Sequence, residues 1–284
     1  PEDVRSMCCR LQLDKRELKK KTGGLFGSGE KTGSVGVVTI NLPRIAYNSE
    51  NEAEFYEKLT HTMKVAKRSL EIKRKIISKF MDEGLYPYAK RYLGNFNTHF
   101  STIGLVGLNE CSLNAKWVKE NLINDNGRIF GEKVLEFMRE TIADFQEETG
   151  NLYNLEATPA ESTSYRLAKM DKERYNNIIL ASIEGESPFY TNSCHLPVGF
   201  TEDIFDALEI QEKLQSKFTG GTVFHGFLGE KISDWVTCAK LVQTIASNFK
   251  VPYFTISPTY SICKNHGYLS GEESICPICN EETE

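Results

Sequence analysis

A chain of 284 residues, with 40% hydrophobic and 26% charged residues, has the composition of a folded globular protein with one large domain or two unequal ones. Its formal net charge of -5 argues against broad binding to a nucleic acid polymer, because such binding depends on an excess of lysine and arginine. No apolar stretch approaches the roughly 20 residues of a transmembrane helix, so no membrane partner is expected.

The eight cysteines and the absence of a signal peptide predict a reducing, cytoplasmic compartment, where thiols serve metals or redox chemistry. The first residues, Pro1 to Arg5, lack an initiating methionine, a basic start and an apolar stretch. We therefore expect the chain to be an internal piece of a longer protein.

Hydrophobic periodicity after a glycine-rich segment predicts strands that alternate with helices. Strands are predicted at residues 35–42, 103–108, 153–157, 177–183, 221–228 and 252–256. Helices are predicted at residues 50–81, 131–148, 162–170, 201–217 and 234–249. This alternation predicts an α/β sheet or barrel with buried parallel strands over residues 1–257, followed by a small module at residues 258–284.

The pattern at the end of the chain predicts a metal site. Cys263 and His266 form one short chelating turn, and after nine intervening residues Cys276 and Cys279 form another. Such turns allow thiolates and an imidazole to converge on one tetrahedral Zn²⁺, and four protein ligands indicate a structural site. Whether His266 or another residue is the fourth ligand stays open.

The same cysteine pattern also occurs in zinc ribbons that bind nucleic acid, which is one alternative function. The acidic balance of the chain argues against it, as does the lack of interleaved lysine, arginine and aromatic residues around the cluster.

Adjacent cysteines near the start, Cys8 and Cys9, are as typical of a buried structural pair as of a reactive one. The surrounding segments, however, resemble the active-site region of anaerobic (class III) ribonucleotide reductases. With the terminal metal cluster, the resemblance covers nearly the whole chain in order. The matching segments are Ser6–Leu11, Gly33–Ala46, Phe100–Gly104, Ala157–Ser162, Tyr190–Ser193 and Gly220–His225.

The resemblance implies a glycyl-radical enzyme with a ten-stranded α/β barrel, of which this chain is a part, that reduces ribonucleoside triphosphates to 2′-deoxyribonucleoside triphosphates. By motif position Cys9, directly before Arg10, is the thiyl-radical cysteine on a finger loop, and it takes hydrogen from C3′ of the ribose. Cys8 is either a bystander or a redox partner.

The resemblance also concerns the reductant. Formate-dependent members of the family carry an asparagine where this chain has Ser34, before Val35-Gly36-Val37. With the Cys8-Cys9 pair, this departure implies reduction by a thioredoxin- or glutaredoxin-type protein rather than by formate.

A helix start rich in hydroxyl residues is a candidate anion site, because free backbone N–H groups and the helix dipole attract phosphates. An ordinary capped helix with a glutamate in its first turn is the alternative. In the family context we interpret this segment as the cradle for the substrate phosphates, with Glu161 either there or facing the ribose to move protons. The cradle residues are Thr158, Pro159, Ala160, Ser162, Thr163 and Ser164.

The resemblance further implies a glycyl radical on a residue outside this chain, generated by an Fe–S activating enzyme with S-adenosylmethionine. It implies dNTP and ATP effectors and a homodimer as well. A pyruvate formate-lyase type of glycyl-radical enzyme, which also uses adjacent cysteines, is the second alternative, but it needs neither a phosphate-binding helix start nor a terminal zinc cluster.

Overall fold

The computed structural model describes residues 6–7, 11–12, 31–182, 185, 187–197, 200–201, 203–228, 232, 234–258, 260–270 and 273–283. Its strands are β1 (Ser6–Met7), β2 (Leu11–Gln12), β3 (Gly33–Asn41), β4 (His99–Val106), β5 (Leu152–Glu156), β6 (Phe224–Leu228), β7 (Phe254–Pro258), β8 (Tyr260–Cys263) and β9 (Gly267–Ser270). Its helices are α1 (Leu42–Tyr47), α2 (Glu52–Asp82), α3 (Pro87–Leu93), α4 (Leu108–Asn114), α5 (Asp125–Thr149), α6 (Glu161–Arg174), α7 (Ile204–Gln215) and α8 (Trp235–Asn248).

Three parallel strands, β3, β4 and β5, lie side by side in chain order. Helices connect each strand to the next, as parallel pairing requires, because a tight turn cannot return the chain to the same end of a sheet. The predicted α/β class is therefore confirmed for this part of the chain.

The hydrophobic core lies on one face of this sheet, where Ile40, Ile103 and Leu155 are almost fully buried. Two long helices cover that face, because each presents an apolar stripe at steps of three and four residues. Each large apolar side chain buried there contributes about 1.5–3 kcal/mol to the free energy of folding. The stripe of α2 consists of Phe55, Leu59, Met63, Ala66 and Leu70, and that of α5 of Val134, Leu135, Met138, Ile142 and Phe145.

Local signals fix the ends of these helices. Asn51 caps α2 by accepting a hydrogen bond from the backbone N–H of Glu54. Gly150 ends α5 in the left-handed conformation, with φ of 68°, which a glycine adopts without steric cost.

A second parallel pair, β6 with β7, packs against α7 and α8 through a smaller core of Leu208, Phe224 and Ile245. In the described residues, strand pairing joins β3–β5 and β6–β7 into separate sheets. No helix in this part of the chain has the length and apolar character needed to cross a bilayer.

The structure differs from the predicted elements in two informative places. The strand predicted at residues 177–183 is wrong over its described residues, because the Asn114 side chain bonds both the N–H and the C=O of Ile179. Leu42 begins a helix instead of ending a strand, since Pro43 occupies the first turn of α1, where its missing N–H costs nothing.

Candidate functional site

The second face of the β3–β5 sheet carries polar side chains and is the floor of the candidate site. Thr102 pairs with Asn154 across neighbouring strands, and Gly104 pairs with Glu156. Thr102, Asn154 and Glu156 are all buried. These residues were not among the predicted site residues, although polar side chains at alternate positions of buried strands are a signal that can be seen without a structure.

Thr158, which follows β5, lies directly against this floor. Its hydroxyl is 3.5 Å from the Thr39 hydroxyl, and its side chain is 5% exposed. A Cβ atom on Gly104 would come within 2.5 Å of both Cγ2 and Oγ1 of Thr158. A glycine in the middle of β4 is therefore what allows Thr158 to approach the sheet.

The start of α6 follows immediately. Ala160 has φ of 46°, in the left-handed region that is costly for alanine, and its side chain cannot cap the helix. Glu161 and Ser162 are exposed, whereas Pro159 and Thr163 are half-buried. The first N–H groups of the helix thus lack a side-chain cap, and this leaves them available to an anion.

Ser164 has a different environment from its neighbours in the predicted cradle. It is 2% exposed, and its hydroxyl donates to the backbone carbonyl of Tyr190 while it accepts from the Tyr190 N–H at 3.0 Å. Its hydroxyl therefore connects α6 to the segment Tyr190–Ser193, called the 190 segment below.

Ser34 lies on the same face of the sheet as the floor residues. Its hydroxyl is 3.0 Å from that of Thr102, next to an irregularity in the pairing of β3 with β4. Two residues along a strand span about 7 Å, so Ser34 and Thr158 contact neighbouring positions, Thr102 and Gly104, on that face. Cys8 and Cys9 lie outside the described residues, and their positions stay a prediction.

The 190 segment packs against the carboxyl end of β4. The N–H groups of Gly107 and Leu108 donate to the carbonyls of Thr191 and Ser193 at 2.8 and 3.0 Å. The fully buried carboxylate of Glu110 accepts from the N–H and the hydroxyl of Thr191, at 2.8 and 2.7 Å. Burial raises the pKa of Glu110, and these donors oppose the shift.

The segment at Gly220 and Gly221 borders the carboxyl end of β5. The N–H of Gly220 donates to the carbonyl of Leu155, and the carbonyl of Gly221 accepts from the N–H of Ala157. A Cβ atom on Gly220 would lie 2.9 Å from the Asn154 amide nitrogen, so a side chain there would displace the floor. Five of the six segments singled out in the sequence therefore meet where parallel strands end, which is where α/β proteins bind ligands.

Two buried polar atoms near this border, Oδ1 of Asn154 and Oγ1 of Thr222, have no hydrogen-bond partner among the described residues. Buried acceptor atoms and hydroxyl groups rarely lack a hydrogen-bond partner, except where a ligand or an ordered water binds.

The terminal residues form a candidate metal centre. One ligand atom from each of Cys263, His266, Cys276 and Cys279 lies within 4.8 Å of the other three. The sulfur of Cys263 is 3.5 Å from that of Cys279, and Nδ1 of His266 is 3.6 Å from the sulfurs of Cys263 and Cys276. Tetrahedral bonds of about 2.3 Å separate sulfur ligands by about 3.8 Å, so the donor set fits a zinc-like ion.

The fold of the module places these ligands. Cys263 ends β8 and Gly267 begins β9, so a tight hairpin with Gly267 at φ of 73° brings His266 back beside Cys263. Burial raises the pKa of the Cys263 thiol, but the backbone N–H of Asn265 and the His266 ring outweigh it and lower that pKa to about 6. A thiol with so low a pKa is mostly ionised at neutral pH, and the thiolate is the form that binds a metal ion.

A family model for anaerobic ribonucleoside-triphosphate reductase matches residues 1–284. Among curated proteins, the chain is 25% identical over 268 residues to the anaerobic ribonucleoside-triphosphate reductase of Haemophilus influenzae. It is also 25% identical over 305 residues to that of Enterobacteria phage T4.

Among solved structures, the anaerobic ribonucleotide reductase from Thermotoga maritima in complex with dATP and CTP superposes with a TM-score of 0.73 at 27% identity, over 91% of this chain and 42% of that one. The alignments cover 87% of this chain with 37% of the Haemophilus protein, and 98% of it with 47% of the phage protein. The chain thus spans less than half the length of each of these relatives.

Proposed function

The chain belongs to the anaerobic ribonucleoside-triphosphate reductase family, and we propose that it contributes three parts of such an enzyme. These parts are the radical cysteine, the phosphate-binding turn at residues 158–164 and the metal module at residues 258–284. The observation that carries the proposal is the meeting of Thr158, the start of α6 and the 190 and 220 segments on the polar face of the sheet.

The proposed reaction is the reduction of a ribonucleoside triphosphate to its 2′-deoxy form. The glycyl radical supplies the oxidising equivalent that makes Cys9 a thiyl radical. Cys9 then takes hydrogen from C3′, forming an S–H bond as the C–H bond breaks; the two bonds are similar in strength, so the step is reversible. The 2′-hydroxyl leaves as water with one added proton, two electrons from the reductant and a second proton form the new C2′–H bond, and Cys9 returns the hydrogen to C3′.

The residues of the described site would hold the substrate during these steps. The uncapped N–H groups at the start of α6, with the hydroxyls of Ser162 and Thr163, bind the phosphates. Asn154 and Thr222 offer buried hydrogen-bonding atoms to the nucleoside, and Glu161 is the group that moves protons at the ribose hydroxyls. Ser34 occupies the position of the family's formate-associated asparagine.

We therefore expect the holoenzyme to reduce CTP with a thioredoxin- or glutaredoxin-type protein as the electron donor, and to give no product above background with formate alone. The measurement is dCTP formed per chain under anaerobic conditions, with the glycyl radical quantified in parallel. Absence of dCTP with every donor, in protein that carries the radical, would overturn the proposed function. Efficient turnover on formate would overturn only the choice of reductant.

Replacement of Gly104 by alanine tests the floor of the site. The new Cβ atom would displace Thr158 and move the turn that follows it. We expect the KM for CTP to rise by about tenfold while kcat changes less. The additional change Thr158→Ser removes the methyl group, one of the two atoms that the new Cβ atom meets, and leaves a hydroxyl that can rotate away, so the double variant should recover part of the affinity. An unchanged KM in Gly104→Ala would contradict the placement of Thr158 at the substrate.

The metal centre is proposed to hold one structural Zn²⁺, since three thiolates and an imidazole close a tetrahedral sphere. The glycyl radical is assigned to a residue outside this chain and its formation to a radical activating enzyme that uses an Fe–S cluster and S-adenosylmethionine. These assignments follow from the family, and the described residues include no competing metal cluster.

The wider architecture is also proposed from the family. The β3–β5 and β6–β7 sheets would be parts of one ten-stranded barrel over residues 1–257, with residues 258–284 as the zinc module. A homodimer regulated by dNTP and ATP effectors, in the cytoplasm, completes the proposal; the Thermotoga protein was solved with dATP in its specificity site. The family match favours this function over the pyruvate formate-lyase type and over a nucleic-acid-binding zinc ribbon.

A further inference from the structure

We propose that Asp171 is a positioning residue that fixes the start of α6, and with it the phosphate-binding turn, against the strands of the site. The inference rests on the proposed function, because it concerns how that turn is held in place. Asn41 and Arg44 also have a role in this proposal. Both belong to the Gly33–Ala46 segment, and the hydrogen bonds described above do not connect them to the turn or to the floor.

Asp171 is fully buried on the inner face of α6, in the last turn of the helix. Its carboxylate accepts three hydrogen bonds from three side chains, two in the Gly33–Ala46 segment and one in the 190 segment. The donors are Asn41 Nδ2 at 2.7 Å, Arg44 Nε at 2.6 Å and the hydroxyl of Tyr190 at 2.8 Å. A buried carboxylate with charge-assisted bonds of this kind resists displacement, because moving it would leave its charge unpaired.

Tyr190 connects Asp171 to the start of the helix. Ser164 and Asp171 are seven residues apart, about 10 Å along the same face of α6. Ser164 binds the backbone of Tyr190, and Asp171 binds its hydroxyl, so one buried tyrosine side chain runs alongside the helix and is held at both ends. Burial raises the pKa of Tyr190 well above its usual range, which keeps the hydroxyl protonated as a donor.

These contacts restrain α6 in two directions. Asn41 is the last residue of β3 and Arg44 lies in α1, so their bonds to Asp171 fix the helix relative to the carboxyl end of a site strand. Tyr190 precedes Thr191, which Glu110 holds at the end of β4. Asp171 is distant along α6 from the turn at Thr158 and therefore acts on it through the helix.

Loss of the carboxylate should weaken phosphate binding without removing any group that contacts substrate. A contact that stabilises the bound substrate and the transition state equally changes KM and not kcat. KM should therefore rise while kcat stays nearly constant. A merely structural role predicts the opposite: a smaller fraction of folded enzyme lowers the apparent kcat and leaves KM unchanged.

The test compares Asp171→Asn and Tyr190→Phe in the holoenzyme, with CTP as substrate and inorganic tripolyphosphate as a competitor that lacks the nucleoside. We expect the KM for CTP and the inhibition constant of tripolyphosphate to rise together, by about tenfold in Asp171→Asn and by a few-fold in Tyr190→Phe. Tyr175→Phe is the matched control, because Tyr175 follows the last residue of α6 and, among the contacts described, its hydroxyl bonds only to the exposed Asn48.

Tyr190→Phe keeps the buried ring, so it tests the inference even if Asp171→Asn does not fold. A KM and an inhibition constant that stay at the values of the unmodified enzyme in the folded variant, or an equal rise in Tyr175→Phe, would overturn the role of Asp171. Failure of CTP and tripolyphosphate to bind the unmodified enzyme would instead overturn the proposed function.

Discussion

Replacement of Cys9 by serine is expected to abolish deoxyribonucleotide formation, lowering turnover of CTP by at least about 1,000-fold. An O–H bond is much stronger than the ribose C–H bond, whereas an S–H bond is similar to it. The glycyl radical can therefore not oxidise serine at a useful rate, and without an oxygen-centred radical no hydrogen is taken from C3′. The measurement is dCTP formed by the activated holoenzyme, with the glycyl radical quantified by electron paramagnetic resonance.

The radical signal should persist in the serine variant, since it is formed elsewhere in the enzyme. Cys238→Ser is the control: Cys238 is a half-buried thiol on α8, outside the segments of the site and the metal cluster, and its replacement should leave turnover intact. Formation of dCTP by Cys9→Ser at a rate near that of the unmodified enzyme would refute the assignment of Cys9.

Replacement of Cys276 by serine is expected to release the metal. Cys276 is fully buried, and its sulfur faces the His266 ring in the ligand cluster. We expect the zinc content to fall from about one ion per chain to less than about a tenth of that. The β8–β9 hairpin should lose protection from amide hydrogen exchange, because so small a module has little core of its own. Elemental analysis and hydrogen exchange over residues 260–283 measure the two effects.

A second variant separates loss of a ligand from general damage to the module. His266→Cys replaces the exposed histidine ligand by a thiolate, and four cysteines are an ordinary zinc set, so this variant should retain the ion. Full zinc content in Cys276→Ser would show that the cluster does not hold the metal as proposed.

Much of the fold could be predicted from the sequence because its elements carry strong local signals. The apolar stripes of α2 and α5 have the helical period, and the glycine at the end of α5 stops it where predicted. The metal cluster could be predicted as well, since two chelating turns constrain their own geometry. The structure confirms that Cys263, His266, Cys276 and Cys279 come together.

The rest depended on contacts between segments distant in sequence. Ser164 lies inside the predicted cradle, yet only the position of Tyr190 shows that its hydroxyl is engaged with another backbone. No sequence pattern distinguishes Asp171 from other acidic residues on helices. Its role is visible only because the structure places Asn41, Arg44 and Tyr190 around it. The predicted strand at residues 177–183 was wrong because a side chain, Asn114, satisfies the backbone there.

The order of β3, β4 and β5 in space is their order along the chain, and this bears on how the molecule reaches its native state. Each strand can add to the edge left by the one before it, after only a helical connection has been closed. Each strand pairs with the next strand along the chain, so the loops to be closed are shorter than they would be if the neighbouring strands were further apart in sequence. A nascent polypeptide could thus assemble this half of the site while later residues are still being synthesised.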